Sequence, residues 1–229
     1  MISDVTRTLK LLAVVVLVCA SNPAYTKENT IVVFGDSISA AYGMEQDEGW
    51  VNLLAKRIAQ NGLPWTVVNA SVSGETSGGG LVRLPKTLEL HQPDLLILEL
   101  GGNDGLRGYP IARIRDNLSS MVEQSQQVGA SVLLIGMVLP PNYGRRYIQA
   151  FEGIFPEVAE QHGVPLIPFL LDGIATPASL VQRDGIHPRP EAQPMIMEQV
   201  WQALAGTLMA GPQETSEKIE LQGGLIGDQ

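Results

Sequence analysis

The chain has 229 residues, with 15 Lys and Arg against 24 Asp and Glu and a formal charge of −9. At 45% hydrophobic and 17% charged residues it holds apolar material for one sizeable core, which excludes a disordered chain. The acidic balance excludes binding to nucleic acid through phosphate neutralisation, which needs a basic face.

Taken in chain order, the first ten residues carry Arg7 and Lys10, and residues 11–20 form an unbroken apolar run ahead of Ser21-Asn22-Pro23-Ala24. A bilayer core takes roughly 20 helical residues to cross, so this run is too short to be a stable membrane span. Basic residues, a short apolar stretch and small residues in that order predict a cleavable secretory signal over residues 1–24, cut between Ala20 and Ala24. The product is then periplasmic or secreted. Cys19 is the sole cysteine, and bulky Val18 before it disfavours lipidation. Cleavage beyond Cys19 leaves a mature chain with neither disulfide nor thiol chemistry.

From residue 30 onward, apolar runs at 31–34, 66–68, 95–98, 132–135 and 164–169 read as strands buried on both faces, as in a parallel sheet. Helical spacing joins Trp50, Leu53, Leu54, Ala55 and Ile58. It recurs in Ile111, Ile114, Leu118, Met121, Val122 and Ser125, up to Gly129, and a last helix is expected over 191–209. Strand and helix in alternation predict a three-layer α/β/α sandwich with a five-stranded parallel sheet, occupying residues 25–210 as a single domain. Residues 211–229 are polar and Gly-rich without an apolar period, and are expected to form a disordered tail.

In an open parallel sheet the functional loops gather at the carboxyl ends of the strands. Four such ends carry small and polar residues: 35–39, 69–76, 101–105 and 184–188. Ser37 stands at an expected strand-to-helix turn, where a helix N-terminus favours developing negative charge. A serine nucleophile needs a base, and the base an orienting carboxylate. His187 is the histidine placed at this edge, with Asp184 three residues upstream, whereas His91 and His162 read as residues of last helical turns. The backbone N–H groups of Ser37 and Gly74 and the side-chain amide of Asn103 are the candidate oxyanion donors. Ser39 replaces the last glycine of a Gly-x-Ser-x-Gly elbow, and Gly78-Gly79-Gly80 lacks the Lys-Ser/Thr of a phosphate loop.

Gly-Asp-Ser-Ile at 35–38, Gly74, Gly-Gly-Asn-Asp at 101–104 and Asp-Gly-Ile-His at 184–187 resemble the four blocks of the SGNH or GDSL hydrolases, with Ile38 where the name has Leu. Residues 69–77, 99–108 and 139–146 are similar to the bacterial periplasmic branch that combines acyl-thioesterase, lysophospholipase and arylesterase activities. Residues 44–49 are slightly longer here than in that branch. The resemblance implies a flavodoxin-like sandwich, with Ser37 as nucleophile, His187 as base and Asp184 as its orienter. It also implies the oxyanion hole named above and neither metal nor cofactor. Substrate binding falls to Asp36 beside the serine and to Gly105, Leu106, Arg107, Gly108, Tyr109 and Pro110. That segment is bracketed by glycines and is expected to hinge over an acyl chain. The expected activity is a secreted, monomeric serine esterase acting on acyl esters, thioesters or lysophospholipids. Its alternatives are a carbohydrate O-acetylesterase on the same fold and a non-catalytic binding module.

Overall fold

The computed structural model describes residues 28–177 and 179–210, so the expected signal over 1–24, Cys19 and the tail from residue 211 lie outside the described residues. Five parallel strands form one sheet: β1 (Asn29–Gly35), β2 (Trp65–Asn69), β3 (Leu95–Glu99), β4 (Ser131–Ile135) and β5 (Leu166–Ile167). Their order, β2-β1-β3-β4-β5, is the flavodoxin-like doubly wound order. β1 pairs with β2 on one side and β3 on the other, in a register that sets Phe34 beside Leu98 and Gly35 beside Glu99. The chain therefore reverses its direction of winding between β1 and β3, and a crevice opens at their carboxyl ends.

Successive residues of β1 feed opposite cores. Ile31 and Val33 join the layer formed by α1 (Trp50–Gln60) and α7 (Gln193–Ala210), while Val32 and Phe34 join the layer of α2 (Ser77–His91), α4 (Ile111–Gln127) and α6 (Ile154–His162). Two faces buried at once explain why the strands read as continuous apolar runs. In α1, Trp50, Leu54 and Ile58 fall at i, i+4 and i+8 and are all buried. Two side chains clip α7 to the rest: Gln193 Oε1 accepts the Trp50 N–H at 2.9 Å, and Trp65 Nε1–H donates to the Leu208 carbonyl at 3.2 Å. Among the described residues no helix is long and apolar enough to cross a membrane.

Two sequence expectations change, and one helix, α2, was not among them. β5 holds two residues rather than the run 164–169, because Pro165 and Pro168 each remove a ladder donor. α2 begins with Ser77 and three glycines and contains Pro85, so its apolar stripe is confined to Leu81, Leu84 and Leu88. It forms because Thr76 caps Gly79 N–H at 3.1 Å and because Gly80 lets the helix settle on the sheet, where a Cβ would stand 2.4 Å from Leu100. Finally, Ser37 opens no regular helix. The segment makes tight turns, with Ala40 N–H bonded to Asp36 O at 2.9 Å, until Ala41 adopts a φ of 56° and ends them. The next α-helix starts at Trp50, so a helix dipole contributes at most a single turn at the serine.

Candidate active site

Ser37 follows the interior strand β1, Asn103 follows its neighbour β3 in the short helix α3 (Gly102–Leu106), and His187 lies in the loop between β5 and α7. The switch point brings them together. The Ser37 hydroxyl lies 2.8 Å from His187 Nε2, and His187 Nδ1 lies 2.7 Å from Asp184 Oδ2. Asp184 Oδ1 accepts the backbone N–H groups of Ile186 at 2.9 Å and His187 at 3.0 Å, which folds the loop so that aspartate and imidazole face each other. Burial by itself would raise the Asp184 carboxyl. The hydrogen bond from His187 and those from the Ile186 and His187 N–H groups outweigh it and bring the carboxyl down to about 2. An ionised carboxylate only accepts, so Nδ1 carries the imidazole proton and Nε2 is left as the acceptor for Ser37. The Tyr42 ring stacks against His187 with centroids 4.4 Å apart, a neighbour that spacing does not reveal.

Asn103 Nδ2 donates to Asp36 Oδ2 at 2.9 Å. A carboxamide has two N–H groups, so the second remains free for the cleft. Among the described residues neither the Ser37 N–H nor the Gly74 N–H is bonded to another group. Gly74 sits in the exposed turn after β2 at a φ of 80°, where a side chain would be strained, and its carbonyl accepts Arg107 Nη2–H at 3.2 Å.

The serine and the imidazole open onto a cleft of about 530 Å³. Its walls are Met137, Val138, Leu139, Pro140 and Pro141 after β4, Phe169, Leu171 and Ala175 after β5, and Ile38, Leu106 and Ile186 beside the polar residues. The expected substrate residues take different places around it. Of the segment 105–110 only Leu106 lines the cleft. Gly105 is no hinge, being inside α3 with Phe151 and Leu139 packed where a Cβ would meet them at 2.7 and 2.8 Å. Gly108, Arg107 and Pro110 are exposed away from the cleft, and Tyr109 packs into the core. The segment is also tied down, since Tyr143 hydroxyl donates to Leu106 O at 2.9 Å and Tyr147 hydroxyl to Tyr109 O at 2.8 Å. Asp36 borders the cleft, is 3% exposed, and accepts the Ile38 N–H on one oxygen and the Asn103 amide on the other. The wall residues 137–141 were legible as the chain leaving β4 at the carboxyl edge, the same rule that located the four polar clusters.

A serine, an imidazole and a carboxylate in line at the switch point of a doubly wound sheet put the molecule among the serine ester hydrolases. A family model described as GDSL-like Lipase/Acylhydrolase matches residues 33–193, and the chain belongs to that family. The relatives include Esterase TesA of Pseudomonas aeruginosa, 51% identical over 175 residues that span 76% of this chain and 87% of that protein. Another is thioesterase 1/protease 1/lysophospholipase L1 of Escherichia coli strain K12, 42% identical over 175 residues, 76% of this chain and 82% of the relative. Among solved structures, the psychrotrophic esterase EstA from Pseudoalteromonas sp., inhibited by monoethylphosphonate, superposes with a TM-score of 0.75. It is 41% identical and covers 78% of this chain and 97% of its own.

Proposed function

We propose that the chain hydrolyses acyl esters and thioesters of medium to long acyl groups, lysophospholipids included, through an acyl-enzyme on Ser37. The observation that carries this reading is the Ser37–His187–Asp184 chain of 2.8 and 2.7 Å contacts opening onto an apolar cleft. His187 Nε2 takes the hydroxyl proton as Ser37 Oγ attacks the acyl carbon, and returns it to the leaving alcohol or thiol. The Ser37 and Gly74 N–H groups and the free N–H of Asn103 meet the oxyanion, three donors with no other partner to give up. Water then attacks the acyl-enzyme by the same proton route in reverse. The names of the relatives, esterase and thioesterase/lysophospholipase, favour the same substrates. Export directed by residues 1–24 and action as a monomer belong to this reading.

The test is fluorophosphonate labelling together with a series of p-nitrophenyl esters. Wild type is expected to label and to turn over octanoyl faster than acetyl esters, while Ser37→Ala loses both labelling and several orders of magnitude in kcat. Retention of more than about a tenth of the wild-type rate in Ser37→Ala would remove Ser37 from the nucleophile's role. Acetyl esters turned over best would favour the O-acetylesterase reading.

A further inference from the structure

Behind Ser37 lies a buried pair of carboxyls that acyl transfer does not itself consume. Glu99 ends β3 at 0% exposure, beside the equally enclosed Asp36. Glu99 Oε2 accepts the backbone N–H of Asp36 at 3.2 Å and the hydroxyl of Ser39 at 2.6 Å. Those two donors stand on either side of Ser37 in the chain. Asp36 in turn accepts the Ile38 N–H on Oδ1 at 3.0 Å and the Asn103 amide on Oδ2. One connected set of hydrogen bonds thus ties the turn bearing the serine to the amide of Asn103.

The fold makes room for Glu99 deliberately. A Cβ at residue 35 would stand 2.4 Å from Glu99 Oε2 and 2.9 Å from Ser39 Oγ, so a side chain there would displace the carboxyl or the hydroxyl it holds. The four preceding residues of β3, Leu95 to Leu98, are apolar, and an apolar residue at 99 would suit a doubly covered strand equally well. Glu99 Oε1 makes no hydrogen bond, which is tolerable for a neutral acid and very costly for a carboxylate. Burial pushes the Glu99 carboxyl well above its ordinary range and the Asp36 charge pushes it further. Burial also pushes Asp36 up to about 6, against the hydrogen bonds from Ile38 and Asn103. Both carboxyls of the pair therefore hold a proton more readily than free carboxyls do.

We propose that Glu99 is a positioning residue for the reaction: its grip on Asp36 and Ser39 fixes the turn that presents Ser37 and, through Asp36, the direction of the Asn103 amide. This rests on the reading of Ser37 as nucleophile. Glu99 does not line the cleft, so its loss falls on kcat and leaves KM nearly unchanged.

Three variants test it with a medium-chain p-nitrophenyl ester and a fluorophosphonate. Glu99→Gln keeps an acceptor oxygen in the same place and retains kcat within about fivefold. Glu99→Leu fills the space without an acceptor, and kcat falls by about fiftyfold or more with KM within about threefold, labelling slowing in parallel. Ser39→Ala removes one of the two donors at little change in volume and lowers kcat by about fivefold. It reads the same contact should Glu99→Leu fail to fold. Wild-type kcat in a folded Leu variant, or in Ser39→Ala where the Leu variant does not fold, overturns the proposal. So does a Gln variant as impaired as the Leu variant, or a loss expressed in KM. Absence of labelling in the wild type, or labelling that survives Ser37→Ala, overturns the Ser37 reading instead, so the two failures are told apart.

Discussion

Asp184 shows at the scale of one side chain how acid and base are assigned. Its carboxyl stays ionised far into acid, so it holds the imidazole in the tautomer that leaves Nε2 unprotonated. Asp184→Asn keeps the shape but offers an amide where the ring N–H must donate, and kcat should fall by about 10³- to 10⁴-fold with the fold intact, as steady-state kinetics beside circular dichroism would show. In the proposed mechanism Asn103 acts on the other side of the reacting carbon. Asn103→Ala should lower kcat by about a hundredfold or more with little change in KM, since an oxyanion donor acts in the transition state. A raised KM at constant kcat would instead mark ground-state binding. The serine, histidine, aspartate and asparagine were legible because acyl transfer demands those residue types and strand ends collect them. Glu99 and the contact of Asp36 with Asn103 were not, because the bonds that define them join residues 63 and 67 positions apart. Spacing carries no trace of that.

Elements show the same division. α1, α4 and α7 announce themselves by apolar spacing, whereas α2 opens with three glycines and is held by a cap and by close packing on the sheet. Its glycines are spent on proximity, which composition reads as looseness. Gly105 shows the same thing, since it marks tight contact with Phe151 and Leu139 rather than a hinge. The chain leaving β4 supplies more of the cleft wall than the segment 105–110 does. Val138 on this wall is 42% exposed, so it can be changed without disturbing the core. Val138→Ser should lower kcat/KM for octanoyl esters by about five- to tenfold and leave acetyl esters nearly unaffected, at about 0.8 kcal/mol for each methylene that loses its apolar contact. An equal loss on both esters would show that the wall shapes the reacting end rather than the chain.

Over the whole molecule, the buried carboxyl pair tilts the dependence of stability on pH. Asp36 is raised from its ordinary 3.8 to about 6 in the folded state, so the native form binds the extra proton between those values. Its contribution is fully present below about pH 4 and is lost as pH rises through 6, and the raised Glu99 acts in the same sense. Asp184 is lowered and acts in the opposite sense, but only below about pH 4. The melting temperature should therefore fall by on the order of 5 °C between pH 5 and pH 7.5, as calorimetry across that range would reveal. A flat or rising profile would place the charge elsewhere. The site also straddles unequal supports. Ser37 follows a seven-residue strand paired on both sides, while the loop carrying His187 and Asp184 follows β5, which pairs with β4 through two residues at the sheet's edge. Proteins open locally where few contacts hold, at a free energy well below that of global unfolding. Fraying of this edge would part base from serine while the central strands stay intact. In a urea titration activity should be lost before the far-ultraviolet dichroism changes, and amides of residues 180–190 should exchange with deuterium sooner than those of β1 and β3. Coincident loss of activity and dichroism would show that the edge holds as firmly as the centre; otherwise the working lifetime of this catalyst is set by its outermost strand.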